Sequence, residues 1–167
     1  MDYFVGTKAI TAVTMTRGVY NTYRGWDLPA DEDGDDMGYL VEYAPDPSSP
    51  PNHDHHEGYI SWSPEGVFNE FYKPSGQMSF GHALVVMKAG GRVSREGWNG
   101  KAMWLVYVEG SFVPNLNPNS PYAKAGLENV TINPHIDMMT ATGEMQPGWL
   151  ASQTDMLADD WGIVSDA

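Results

Sequence analysis

Apolar and polar positions alternate along two stretches of the first half and fall at helical spacing in the second. Lys8 to Met15 is β-branched and alternating, the pattern of a half-buried strand. Thr16 can then cap a helix through Arg24, which Gly25 ends. Tyr39 to Tyr43 and Gly58 to Trp62 predict two more strands. Ser63-Pro64-Glu65 predicts a helix to about Tyr72, with Pro at the first helical position and Glu beside the positive end of the dipole. Further on, Ser79 can cap a helix whose Phe80, Ala83, Leu84 and Met87 form one apolar stripe, and Gly90-Gly91 stops it. Arg92 to Arg95 alternates like a strand. Asn99-Gly100 is a two-residue hairpin signal, because a type I′ turn needs positive φ twice. Met103 to Val108 is the returning strand, apolar enough to be covered on both faces. Ser152 and Asp155 fit a capping pair, with Asp159-Asp160 closing a two-turn helix. These elements predict an α+β fold of small antiparallel sheets packed with short helices.

Charge and turn chemistry suggest two parts. Residues 1–77 carry thirteen acidic and four basic side chains, and residues 78–167 carry nine and five. Lys73-Pro74-Ser75-Gly76-Gln77 between them has the composition of a linker. The expected domains are therefore 1–77 and 78–167. Glu109 to Asn133 is rich in Pro, Asn, Gly and Ser and reads as a lid or an oligomer contact, with disorder as the alternative, and with a short helix over Tyr122 to Leu127 opened by Ser120-Pro121.

Composition removes several function classes. The 167 residues include no cysteine, which excludes disulfides, thiolate metal sites and cysteine nucleophiles. A net charge of −13 argues against long nucleic acid, where many phosphates must be neutralised together. Met1-Asp2-Tyr3-Phe4-Val5-Gly6 lacks the basic start and apolar run of a secretion signal, and no apolar stretch is long enough for a membrane span. The cytoplasm is the expected compartment.

Candidate catalysts are sparse. Asp31 to Asp36 has five acids in six residues but not the ladder of a calcium loop, so a solvated turn is expected. His53, Asp54, His55, His56 and Glu57 could hold Zn²⁺ or Mn²⁺ by residue type, yet adjacent residues rarely point one way and no distant ligand is evident. We therefore expect a polar loop and no metal or cofactor. Neither a Gly-x-Ser-x-Gly elbow, a phosphate-cradling loop nor a His-Glu-x-x-His helix occurs. His82 and His135 remain as isolated acid–base candidates, each expected to be structural.

Lys88, Arg92, Arg95 and Lys101 lie within fourteen residues that contain one acid, Glu96, and Trp98 and Trp104 flank them. Cations with indole rings suit a compact anion bearing a flat ring, through charge-assisted bonds and stacking. A buried tryptophan core beside solvated cations accounts for the same composition.

Four blocks add to this reading: Met78-Ser79-Phe80-Gly81-His82-Ala83-Leu84, Val93 to Lys101, Pro134-His135-Ile136-Asp137-Met138, and Trp149 to Trp161. In that order they resemble the Thoeris anti-defense 2 proteins of phages, and they span about half the chain. Met139, where lysine is expected, and Gly148 depart from the pattern. The resemblance implies a small homo-oligomer, typically a homotetramer, acting in the cytoplasm of an infected bacterium. It implies a protein, not an enzyme, that sequesters glyco-cyclic ADP-ribose signals without cleaving them, some members also taking cyclic oligonucleotides. Residue type and family blocks together assign Arg92 and Arg95 to phosphates and Trp98, Trp104 and Trp149 to stacking. Asn99, Gln153, Asp155 and Asp160 would read ribose or base edges. An enzyme hydrolysing such a nucleotide, or a module binding a bacterial defence protein, are the alternatives. The first half looks like a module often found beside this domain in phage proteins, with no role that sequence assigns.

Overall fold

The computed structural model describes Asp2 and residues 6–165. Met1 and Tyr3 to Val5, part of the stretch read above against a secretion signal, lie outside the described residues, as do Asp166 and Ala167. The chain divides into two compact units between Lys73 and Pro74. Pro74 to Gln77 thus go with the second: the Gly76 N–H donates to Trp161 O, and the Ile163 N–H to Ser75 Oγ at 2.7 Å.

The first unit is an antiparallel sheet of three strands with two helices. Strand β1 (Ile10–Thr14) leads into helix α1 (Arg17–Arg24), followed by β2 (Gly38–Tyr43), β3 (Ile60–Pro64) and helix α2 (Glu65–Phe71). Sheet order is β1-β2-β3, with Leu40 opposite both Val13 and Trp62. The Thr16 side chain accepts the Val19 N–H, and Gly25 closes α1 at φ 68°, which costs a residue without Cβ nothing. Tyr20, Leu40 and Ile60 form a buried core against which Met15 and Trp62 pack. The Trp62 indole N–H donates to Met15 O at 2.8 Å, tying β3 to the turn before α1. Pro64 is the N-cap of α2 and not its first helical residue. The Glu65 N–H donates to Met37 O at 3.0 Å. In the acidic turn, Glu32 pairs with Arg17, and the Asp35 N–H donates to Asp33 Oδ1.

The second unit holds helix α3 (Phe80–Lys88), strands β4 (Val93–Arg95), β5 (Trp104–Val108) and β6 (Ser111–Val113), and helix α4 (Pro121–Lys124). Strands β7 (Val130–Ile132), β8 (His135–Met139) and β9 (Met145–Gln146), helix α5 (Gln153–Met156) and strand β10 (Trp161–Ile163) follow. Five strands make an antiparallel sheet in the order β10-β4-β5-β8-β9. Ala83 and Met87 of α3 bury their side chains against Val93, Leu105 and Trp161. Ser79 and His82 form a capping box: the His82 N–H donates to Ser79 Oγ, and His82 Nδ1 accepts the Ser79 N–H at 3.2 Å. His82 is thus a cap residue.

In this second unit four local expectations change. Asn99 and Gly100 do adopt positive φ, at 56° and 64°. They do not make a two-residue hairpin, however. A 3₁₀ turn (Glu96–Trp98) precedes them, and β4 meets β5 at Val93↔Leu105 alone. The wide loop directs Gly97 and Trp98 toward the end of the chain. On β5, Leu105 alone is fully buried, because the strand is covered on one side. The Pro- and Asn-rich segment contains a two-stranded ribbon, β6 with β7, besides α4. Finally, α5 is a single turn ending at Met156, so Asp159 and Asp160 lie beyond it.

Candidate ligand-binding site

Trp161 has no exposed surface, and three aromatic rings surround it. Phe80 from α3 lies 5.3 Å away between centroids, Trp98 5.4 Å and Trp149 6.4 Å. Trp98 and Trp149 meet edge to face at 6.3 Å, an arrangement favoured by the ring quadrupoles. Both are half-buried, and so present part of each ring to solvent while Trp161 anchors the rest. Trp149 is fixed by its own backbone: its N–H donates to Ile136 O at 2.7 Å, and the preceding Gly148 N–H to Asp137 Oδ1 at 3.0 Å. Asp137 also lies 3.3 Å from His135 Nε2, which gives that histidine a structural partner.

Beneath the rings is a closed polar frame. Arg95 Nε donates to Asp160 Oδ1 and Nη1 to Asp155 Oδ1, both at 2.8 Å; Nη2 reaches Asp160 Oδ2 at 3.3 Å. Asp155 Oδ1 also accepts the Trp98 indole N–H, and its Oδ2 accepts the N–H and Oγ–H of Ser152. Four donors therefore saturate one carboxylate. Asp160 Oδ2 accepts the Gly97 N–H at 2.8 Å. The Trp161 indole N–H donates to the Asp155 carbonyl at 3.0 Å, joining ring cluster and frame.

The electrostatics follow from this geometry. Hydrogen bonds to Asp160, and then to Asp155, raise the Arg95 guanidinium further above its ordinary value. Arg95 in turn holds the Asp160 carboxyl below its usual range, helped by the Gly97 N–H. For Asp155 burial acts upward, but donors from Ser152, Arg95 and Trp98 outweigh it and the net shift is down. Both carboxylates are ionised at neutral pH, and the cation between them is permanent.

The nine residues singled out by sequence are therefore not equivalent. Arg95, Trp98, Trp149, Asp155 and Asp160 form one connected cluster. Asn99 caps the 3₁₀ turn beside Trp98, and Gln153 opens α5; both are exposed. Arg92 and Trp104 make a pair of their own, the guanidinium 5.2 Å from the indole centroid. Arg95, Asp155 and Asp160, expected at phosphate and ribose, bond to one another. Sequence reasoning passed over Ser152 as more than a cap, Gly97 and Trp161. A Cβ on Gly97 would lie 2.9 Å from Asp160 Oδ2, and Trp161 is the anchor of the whole cluster. The sequence signal for both was position, since each sits inside a tryptophan-bearing block next to a charged residue.

Among the described residues, no group of three or more His, Asp or Glu side chains is arranged to hold a metal ion. No helix among them is long and apolar enough to cross a membrane.

A small mixed domain with an indole cluster locked over an Arg–Asp frame is the part of this chain that other proteins share. The Thoeris anti-defense 2-like domain matches residues 78–164, just over half of the chain, and the protein belongs to that family. A "Thoeris anti-defense 2" protein of Bacillus phage SP01 is 38% identical over 89 residues, which cover 53% of this chain and 97% of that relative. The family supports a phage anti-defence role.

Proposed function

We propose that the second unit binds a cyclic ADP-ribose-type signalling nucleotide and withholds it, uncleaved, from the bacterial defence that made it. One observation carries this reading: the matched segment contains the whole indole cluster and its frame, and covers nearly all of a Thoeris anti-defense 2 relative. In this reading Trp98 and Trp149 present rings for stacking, with Asn99 and Gln153 beside them for ribose or base edges. Arg92, set against Trp104, and the exposed Lys88 and Lys101 supply cations for the phosphates. Arg95, Asp155 and Asp160 act from beneath by fixing Trp98 and α5. A preformed frame lowers the ordering cost of binding, which is where tight complexes gain much of their affinity.

Magnitudes favour a site shared between copies of the chain. Nanomolar affinity needs about −12 kcal/mol. Two stacking contacts at ~1–3 kcal/mol each fall short, and charge-assisted bonds at ~1.5–3 kcal/mol must be added. We therefore include a homo-oligomer, a tetramer by the family resemblance, which would enclose the ligand between subunits. Glyco-cyclic ADP-ribose is the first candidate, with cyclic oligonucleotides as further members of a test panel. The protein is incubated with the panel, separated from unbound nucleotide, heat-denatured and the released species weighed by mass spectrometry. Stoichiometric return of an intact nucleotide is expected. A linearised or hydrolysed product, formed beyond one per site, would replace sequestration by catalysis.

A further inference from the structure

The first unit assembles a chain of three groups that its sequence does not announce. Glu42 on β2, His56 in the polar loop and Tyr23 on α1 lie in a line. Glu42 Oε2 is 2.8 Å from His56 Nδ1, and His56 Nε2 is 3.0 Å from the Tyr23 hydroxyl. The other oxygen of Glu42 accepts the backbone N–H groups of Glu57 and Gly58, each at 3.0 Å. These contacts, with His56 foremost, hold the Glu42 carboxyl below its ordinary range, so it is an acceptor at neutral pH. An ionised Glu42 fixes the proton of a neutral His56 on Nδ1, leaving Nε2 to accept the Tyr23 O–H. Tyr23 remains 37% exposed and lines a surface cavity of about 550 Å³, wide open to solvent, with Thr22, Asn52, His53, Asp54 and His55.

We propose that Tyr23, His56 and Glu42 form an acyl-transfer site, with Tyr23 as nucleophile, His56 as general base and Glu42 as the residue that positions His56. The order carboxylate–imidazole–hydroxyl is the arrangement that activates a hydroxyl nucleophile irrespective of fold. Tyr23 Oη forms a bond to the carbonyl carbon of an ester as its proton passes to His56 Nε2. The carbon–oxygen bond to the leaving alcohol then breaks, and the alcohol takes that proton. Water attacks the acyl-tyrosine next, giving its proton to His56, and the departing Tyr23 oxygen recovers it. The sum is ester plus water to acid plus alcohol, with no other reagent.

The surroundings favour a neutral carboxylic ester over a phosphoryl group. Residues 1–77 carry thirteen acids against four bases, and Asp54 itself lines the cavity, so an anionic electrophile is repelled. His53 stacks on Tyr23 at 4.3 Å and accepts the His55 backbone N–H at Nδ1, so a neutral His53 has its proton on Nε2. That N–H is the donor for the developing oxyanion. Asn52 pins the loop through paired bonds to the Ile60 backbone, 2.8 and 2.9 Å, which keeps these imidazoles in place.

The probe is p-nitrophenyl acetate with the full chain. A burst of p-nitrophenolate approaching one per chain is expected, with the acetyl group found on Tyr23 by peptide mass spectrometry. Tyr23→Phe keeps the ring over His53 and loses the burst at least tenfold. Glu42→Gln keeps an oxygen for the Gly58 N–H and stays folded with a slightly lower melting temperature, yet slows acylation of Tyr23 at least tenfold. His56→Gln, which keeps a side chain able to bond the Tyr23 hydroxyl but supplies no base, is as slow as His56→Ala, whereas a purely structural histidine would let His56→Gln acylate like the parent. Acetyl found on lysine or another tyrosine instead, an undiminished burst in Tyr23→Phe, or Glu42→Gln reacting like the parent would each overturn the proposal.

Discussion

Arg95 and Asp155 are sixty residues apart in sequence and 2.8 Å apart in space, joined by a charge-assisted bond beneath the Trp98 ring. The two side chains keep 11% and 14% of their exposure, so the pair is largely withdrawn from water. Such a pair contributes little over a well-packed apolar substitute, but removing one partner strands the other. The bond is therefore chiefly a device of placement. It closes β4, the 3₁₀ turn and α5 around Trp161.

Breaking the frame lowers stability. Arg95→Ala leaves Asp155 and Asp160 facing each other and is expected to cost about 2–4 kcal/mol, somewhat below a fully buried pair because Asp160 is partly exposed. Arg95→Lys recovers only part, since an ammonium lacks the fork that meets two carboxylates. Chemical denaturation of the three proteins measures both. A parent-like Arg95→Ala would show the frame to be energetically idle.

Acid weakens the same frame, and the direction is fixed by the depressed carboxyls. Asp155 and Asp160 sit below their ordinary value of about 3.9 in the folded chain, so below about pH 5 the unfolded state begins to take protons first. Their contribution is full above that range and is lost as pH falls through the depressed values. The double variant Asp155→Asn, Asp160→Asn is expected to be less stable at neutral pH and flatter in acid. Denaturation midpoints between pH 3 and 7 give the difference curve that isolates these two groups from the other acids.

Gly97→Ala tests a close approach rather than a backbone angle. Its new methyl would lie 2.9 Å from Asp160 Oδ2 and 3.2 Å from Arg95 Nη2. Either the Gly97 N–H bond or the fork must yield, at about 1–3 kcal/mol. Thermal melting reads the loss, and an unchanged melting temperature would mean the loop moves aside without cost.

Ligand contacts separate from the frame by which quantity each variant changes. Arg92→Ala is expected to lower the melting temperature only slightly, by loss of its contact with Trp104, and to weaken nucleotide binding by about 1.5–3 kcal/mol, roughly ten- to a hundred-and-fifty-fold. Trp98→Phe keeps a ring but loses the N–H that Asp155 accepts, so it loses stability more than stacking. Titration calorimetry beside size-exclusion chromatography distinguishes them. Undiminished binding by Arg92→Ala would remove the Arg92–Trp104 pair from the site.

Much of this protein's local structure follows from the sequence, because its determinants are local. Thr16, Ser79, Ser120 and Ser152 each accept an N–H three residues on, and a helix begins after each. Gly25 needs no distant partner to end α1, and Asn99 and Gly100 reach positive φ by their own steric freedom. The family was legible for a similar reason, since its signature is a run of side chains in order.

Tertiary structure alone decided what those side chains do. The type of Arg95 suits phosphate, but two carboxylates some sixty positions away occupy it, and no spacing rule reports that. Trp98, Trp149 and Trp161 look alike in sequence, yet packing gives Trp161 full burial and leaves the others a partly exposed face. Tyr23, Glu42 and His56 come from a helix, a strand and a loop, and only the closing of the sheet lines them up. Sequence fixes which bonds a group can make; the fold sets which partners come within 3 Å, and at that range the choice among them is made.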